Sequence, residues 1–271
     1  MKDYFGKDYS ALKDKKLWLF DMDGTIYLGD KIFDGTLELL DNIVKSGGKY
    51  VFITNNSSKG KGDYVKKVRS MGIKADENNF YTSVDAAASL LKEQFKNELI
   101  YAQGTKSFIK NLKAEGLNVT TGYDEKSKCV IVAFDTELTA DKLSITCKTL
   151  LKDLPYYATN PDWVCPTEFG YIPECGSMCF GIEKATGKTP VFIGKPSPLM
   201  IDEVIKKFGN RKSDAVIVGD RLYTDVASGV NAGVDTVLVL SGESTVKDVD
   251  KSETKPTFTI SDVKIINKIF Q

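Results

Sequence analysis

The chain is predicted to be an α/β protein, a parallel sheet with helices on both faces and a smaller α/β domain inserted into it. Three observations lead there. Short apolar runs rich in β-branched and aromatic residues recur, as strands buried on both faces require. Each run is followed by a polar turn and a helix-like segment, the alternation that builds parallel sheets. The rhythm breaks between Thr54 and Lys195, where about 140 residues intervene, too many for one crossover.

The elements follow in order. "KLWLF" is a strand running into Asp21, Met22, Asp23, Gly24 and Thr25. "KYVFITNN" carries a second strand to Thr54. "TPVFIGKP" reads as a strand leading into Lys195, "SDAVIVGD" as one ending at Asp220, and "VDTVLVLSG" as one ending at Ser241. The segments "TLELLDNIVKSGG", "DYVKKVRSMG" and "SPLMIDEVIKKFG" are helical, and the last two stop at a glycine. "ELIYAQG", "TKSFIKNLKAEG", "KCVIVAFD" and "TADKLSITCKTLLKD" give the middle its own strands and helices. The core is therefore expected over residues 1–80 and 183–271, with the insertion over 81–182. The insertion's last part, "YYATNPDWVCPTEFGYIPECGSM", is rich in Pro, Gly and aromatics and reads as an ordered functional loop.

Composition excludes several functions. The 271 residues carry 37 Lys plus Arg against 37 Asp plus Glu, so no basic excess points to nucleic acid. No apolar run approaches the roughly 20 residues that span a bilayer. The charged start "MKDYFGKDYSALKDKK" does not suit a secretory leader, so a cytoplasmic protein is expected, with no membrane partner and its five cysteines reduced. There is no histidine, which rules out a Ser-His-Asp triad, a Cys-His pair and His-ligated metals. "IEKATGKT" looks like the tail of a P-loop but lacks its leading glycine, and Pro190 with a strand follows where a helix is needed.

Four polar residues fall at the ends of core runs: Asp21, Thr54, Lys195 and Asp220. Ligands of open α/β sheets bind at that edge. Alone, each acid reads as a helix cap or turn former, Lys195 as a solvated charge and Thr54 as a turn residue. Together, Asp21, Asp23 and Asp220 form a plausible oxygen shell for Mg²⁺. Lys195 and Thr54 beside them suit a phosphate dianion.

"DMDGT", "FITNN", "GKPSP" and "GDRLYTD" resemble, in order, the four motifs of the haloacid dehalogenase-like (HAD) hydrolases. The chain is similar to their NagD-like and 4-nitrophenylphosphatase branch over roughly residues 15 to 265. The resemblance implies a Rossmann-like core with an inserted α/β cap, and a Mg²⁺-dependent phosphatase acting on a small phosphorylated metabolite. It implies that Asp21 is the nucleophile and Asp23 the general acid and base. Asp21, Asp220 and the Asp23 main-chain carbonyl would ligate Mg²⁺, with Asp225 in support. Thr54, Asn55 and Lys195 would bind the phosphoryl oxygens. The acidic Asp23 favours phosphate esters over the C–X substrates of the dehalogenases, because only an alkoxide needs a proton.

The cap loop "ATNPDWVCPTEFGYIPE" would read the leaving group through Asn160, Asp162, Trp163, Glu168 and Tyr171. It lacks the histidine of pyridoxal-phosphatase relatives. Sugar phosphates, nucleoside monophosphates and 4-nitrophenyl phosphate stay open as substrates. Relatives often dimerise through the cap, so the resemblance allows a homodimer. Two rivals use similar residues. A phosphomutase would carry a helical cap between Asp21 and Thr54, where there is no room. A phospho-accepting signalling domain would place its acids on different strands of a shorter chain.

Overall fold

A computed structural model describes residues 1–167 and 169–271. They form two compact units. The first comprises Met1–Thr54, Tyr64–Tyr81 and Lys195–Gln271; the second comprises Asn55–Asp63 and Thr82–Gly194.

The first unit is built on a six-stranded sheet. Its order is Phe258–Ile260, Asp235–Val239, Ala215–Gly219, Leu17–Phe20, Lys49–Thr54, Phe80–Thr82. The pairings from Phe258–Ile260 across to Lys49–Thr54 are all parallel. Leu17–Phe20 is central, and all four of its side chains are buried. Trp18 and Phe20 stack on one face with ring centroids 6.0 Å apart. Phe52 of the neighbouring strand, also fully buried, lies 5.2 Å from the Phe80 ring. The helix Thr36–Lys45 adds Leu39, Leu40 and Ile43 to this core, and the helix Lys61–Ser70 adds Tyr64, Val65 and Val68. Both helices place apolar residues three and four apart, giving each a buried stripe.

From the central strand the chain passes to Lys49–Thr54 on one side and later returns to Ala215–Gly219 on the other. Strand order thus reverses at Leu17–Phe20, and a crevice opens at the carboxyl ends of these three strands. Asp21, Thr54 and Asp220 stand there.

The second unit holds a five-stranded parallel sheet, ordered Val191–Phe192, Tyr156–Ala158, Ser127–Val132, Leu99–Gln103, Asn118–Thr120. The helix Ser83–Gln94 begins with a capping box in which Thr82 and Asp85 satisfy each other's main-chain N–H groups. An antiparallel hairpin, Val164–Thr167 with Gly170–Pro173, projects from the loop after Tyr156–Ala158. Among the described residues no helix is long and apolar enough to cross a membrane. Among the described residues no cysteine is joined in a disulfide.

One expectation is corrected. "TPVFIGKP" does form a strand, Val191–Phe192, but it pairs with Tyr157 and Ala158 in the second sheet, not with the core. Ile193 and Gly194 continue that attachment, their N–H groups bonding to the carbonyls of Ala158 and Thr159 at 3.0 and 2.8 Å. Lys195 therefore enters the first unit from a loop. The residues 55–63 also pack with the second unit, where buried Ser57 bonds to the Thr159 hydroxyl and the Phe134 N–H, each at 2.9 Å. The sequence expectation places residues 55–63 and 183–194 in the core, whereas both fall in the second unit.

Candidate active site

The site is assembled from chain ends that the first sheet brings to one edge. Asp21 follows the central strand, and its N–H bonds to the Val218 carbonyl of the next strand at 2.9 Å. Its side chain keeps 17% of its surface exposed, enough for a small molecule to reach it. Gly24 then turns the chain at φ +86°. A Cβ there would come within 2.5 Å of Asp220 Oδ2, so both the conformation and the space call for glycine.

Lys195 is the hub. Its Nζ lies 2.5 Å from Asp21 Oδ1 and 2.6 Å from Asp225 Oδ1, and donates to the Ile53 carbonyl at 3.4 Å. Lys195 and Asp225 are almost wholly buried. Asp225 reaches it from one π turn, Leu222–Val226, which runs into the helix Ala227–Ala232. Such wide turns re-aim a side chain locally. The other Asp225 oxygen accepts from the Arg221 N–H at 3.1 Å.

Asp220 is fixed by the loop beyond the strand Asp235–Val239. Its Oδ2 accepts from the Glu243 N–H at 2.7 Å, and its carbonyl accepts from the Ser244 N–H at 3.1 Å. Thr25 donates its hydroxyl to Asp220 Oδ1 at 3.4 Å, and Ser241 donates to the Gly24 carbonyl at 2.7 Å. Thr25 and Ser241 carry no role in the sequence reading. Their shared position at the carboxyl edge was the signal.

Oxygens of Asp21, Asp220 and Asp225 lie within 4.8 Å of one another. Burial raises the Asp21 carboxyl to about 7; Lys195 pulls against this, while Asp225 and Asp220 add to it. Burial, then the Asp225 charge, lifts Asp220 to about 6. Burial would lower the pKa of Lys195, but the Asp21 and Asp225 carboxylates outweigh it and hold the ammonium charged. Three crowded carboxylates against one ammonium leave a negative surplus. Their all-oxygen donor set suits a hard divalent cation.

Asp23 stands apart from this cluster. Its carboxylate is half exposed and lies 3.8 Å from Lys67 Nζ. Thr54, buried, ends its strand at the same edge. The next residue, Asn55, opens the second unit. There its side-chain amide donates to Asp162 Oδ2 at 2.9 Å, and its carbonyl accepts from Ser83 Oγ at 2.6 Å and Asn160 Nδ2 at 2.8 Å.

The loop residues proposed to read a substrate divide into two kinds. Asn160 and Asp162 are buried, and the bonds to Asn55 occupy them as scaffold; Asn160 Oδ1 also accepts from the Asp162 N–H at 3.0 Å. Trp163 is exposed, edge-on to Phe180 at 5.7 Å, and Tyr171 is exposed on the hairpin. Glu168 lies outside the described residues.

Comparison with known proteins identifies the family. Residues 18–118 match the family model described as haloacid dehalogenase-like hydrolase, and residues 192–265 match a HAD-hydrolase-like model. An acid sugar phosphatase of Staphylococcus epidermidis is 33% identical over 254 residues, covering 94% of this chain and 97% of that protein. The crystal structure of a 4-nitrophenylphosphatase from Thermotoga maritima superposes with a TM-score of 0.91 at 39% identity, covering 96% of this chain and 99% of that one. A glycerol phosphate phosphatase from Mycobacterium tuberculosis, solved in complex with magnesium, superposes with a TM-score of 0.89 at 25% identity, covering 99% of this chain and 79% of that one. By these matches the chain belongs to the haloacid dehalogenase-like hydrolases, in the branch that holds NagD and the 4-nitrophenylphosphatases.

Proposed function

We propose that the protein is a phosphoric monoester hydrolase that acts on small phosphate monoesters through a phosphorylated Asp21. The observation that carries this is the Asp21 carboxylate itself: accessible, at the end of the central strand, and 2.5 Å from the buried Lys195 ammonium. Relatives named for acid sugar phosphatase, 4-nitrophenylphosphatase and glycerol phosphate phosphatase activity support the substrate class.

In the proposed reaction an Asp21 oxygen attacks phosphorus as the bond to the leaving oxygen breaks. Asp23 gives its proton to that oxygen, and the alcohol departs. Asp23, now a carboxylate, takes a proton from water as the water oxygen attacks the aspartyl-phosphate. Inorganic phosphate leaves, and Asp21 is restored. Thr54 and Lys195 donate to the phosphoryl oxygens, and Asn55 joins them from the next position in the chain. Asp225 holds Lys195 in place.

The metal fits this donor set. Asp21, Asp220 and the Asp23 main-chain carbonyl would hold Mg²⁺, supported by Asp225. When bound, the ion offsets the charge of the carboxylates and the phosphoryl group. Trp163 and Tyr171 are proposed to set the choice of leaving group, with Asn160 and Asp162 shaping their loop.

The test is phosphate release, with Mg²⁺ present, from 4-nitrophenyl phosphate, sugar phosphates, nucleoside monophosphates and glycerol phosphate. Release that is abolished in Asp21→Asn, with the fold intact by circular dichroism, supports the reading. Release retained at a tenth or more in that variant contradicts the assigned nucleophile.

A further inference from the structure

We infer that Lys67 is a positioning residue for the proton-transfer step, and that it orients the Asp23 carboxylate from a seat on the ring of Tyr27. This rests on the phosphatase reading and deepens it. The Asp21 carboxylate is bonded to Lys195, and the Asp220 and Asp225 carboxylates each accept two hydrogen bonds, whereas Asp23 is half exposed. Among the described residues its Oδ1 receives one long contact, 3.5 Å, from the Gly29 N–H. A side chain so loosely held samples several rotamers, yet Asp23 must stay within hydrogen-bond reach of the leaving oxygen as the acid and of the water as the carboxylate.

The structure supplies a restraint from the helix Lys61–Ser70. Lys67, in the last turn of Lys61–Ser70, carries its Nζ to 3.8 Å from Asp23 Oδ2. The same Nζ sits 4.1 Å from the centroid of the Tyr27 ring. Tyr27 is buried, and its carbonyl accepts from the Gly24 N–H at 2.8 Å, so the ring is anchored to the turn that carries Asp23. An ammonium over an aromatic face is held by the ring quadrupole as well as by the neighbouring charge. Tyr64 and Val68, buried on the same helix, fix the base from which Lys67 extends. Lys67 touches no reacting atom here and transfers no proton. Its ammonium, pinned over Tyr27, limits where the Asp23 carboxylate can go.

Leaving-group dependence separates this role from a merely structural one. 4-Nitrophenolate departs readily without a proton, whereas an alkoxide does not. Lys67→Met keeps a flexible stem that packs on the Tyr27 ring and removes the charge. The measurement is kcat/KM for wild type, Lys67→Met and Lys67→Arg on 4-nitrophenyl phosphate and on glycerol phosphate, with Mg²⁺. For Lys67→Met, kcat/KM on glycerol phosphate is expected to fall roughly tenfold more than on 4-nitrophenyl phosphate, a loss in the range a misplaced catalytic group causes. Lys67→Arg, which restores a cation able to stack on Tyr27, is expected to recover most of that difference. An equal fall on both esters, or no fall on either, would overturn the inference. Wild-type protein that releases phosphate from neither ester would instead overturn the phosphatase reading beneath it.

Discussion

Lys195 Nζ lies 2.6 Å from Asp225 Oδ1, and neither side chain has meaningful access to solvent. The same ammonium reaches Asp21 at 2.5 Å. One buried cation therefore links the proposed nucleophile to an acid presented from a π turn, and offsets part of the charge that gathers at the sheet edge.

Removing that cation is costly. Lys195→Met leaves the buried Asp225 carboxylate and the partly exposed Asp21 carboxylate uncompensated, and is expected to destabilise the chelator-treated protein by about 3–5 kcal/mol. Urea unfolding at neutral pH measures it. Phosphate release should fall to background in the same variant.

A proton and the proposed divalent cation would compete for the same acids. Asp21 and Asp220 are raised in the folded protein, to about 7 and about 6, from an ordinary 3.8. The folded state thus binds protons that the unfolded chain has already released. The stability this lends is full below about pH 4 and is lost as pH rises through 6 to 7. A divalent cation substitutes for the missing protons only where the acids are ionised. Addition of Mg²⁺ to metal-free protein is therefore expected to raise Tm more at pH 8 than at pH 5. An equal rise at both pH values would argue against metal binding at these acids.

The core prediction is independent of the chemistry. Phe52 is fully buried between Tyr50 and Phe80, with ring centroids 5.4 and 5.2 Å away. Phe52→Ala is expected to cost about 3–5 kcal/mol in denaturant unfolding, because the surrounding rings cannot collapse into the space.

Asn160 separates scaffold from substrate contact. Its amide donates to the Asn55 carbonyl, its oxygen accepts from the Asp162 N–H, and it is wholly buried. Asn160→Ala is expected to destabilise the protein by about 1–3 kcal/mol, the cost of leaving buried groups unpaired. Thermal unfolding together with KM tests this: a large change in KM with Tm unchanged would return Asn160 to the role of substrate reader.

Much of this was legible from residues alone, for physical reasons that also mark where legibility stops. "KLWLF" and "SDAVIVGD" read correctly as core strands because a strand buried on both faces is apolar throughout. "TPVFIG" carries the same local signal, yet it joins the other sheet. Its partners, Tyr157 and Ala158, are non-local, and nothing in the run itself names them. Asn160 and Asp162 looked like hydrogen-bonding groups for a substrate, since polarity is visible in sequence and burial is not. Lys67 gave no signal, being one lysine among several on an exposed helical stretch. Only the fold brings it to Tyr27 and Asp23.

The central claim is that Asp21 is phosphorylated during turnover. Its most direct measurement is rapid acid quenching of wild-type protein mixed with excess 4-nitrophenyl phosphate and Mg²⁺, followed by peptide mass spectrometry. One phosphoryl group on the peptide carrying Asp21, absent in Asp21→Asn, is the predicted result. Phosphate release at full rate with no phosphoryl group on that peptide, or with it on another residue, would contradict the account.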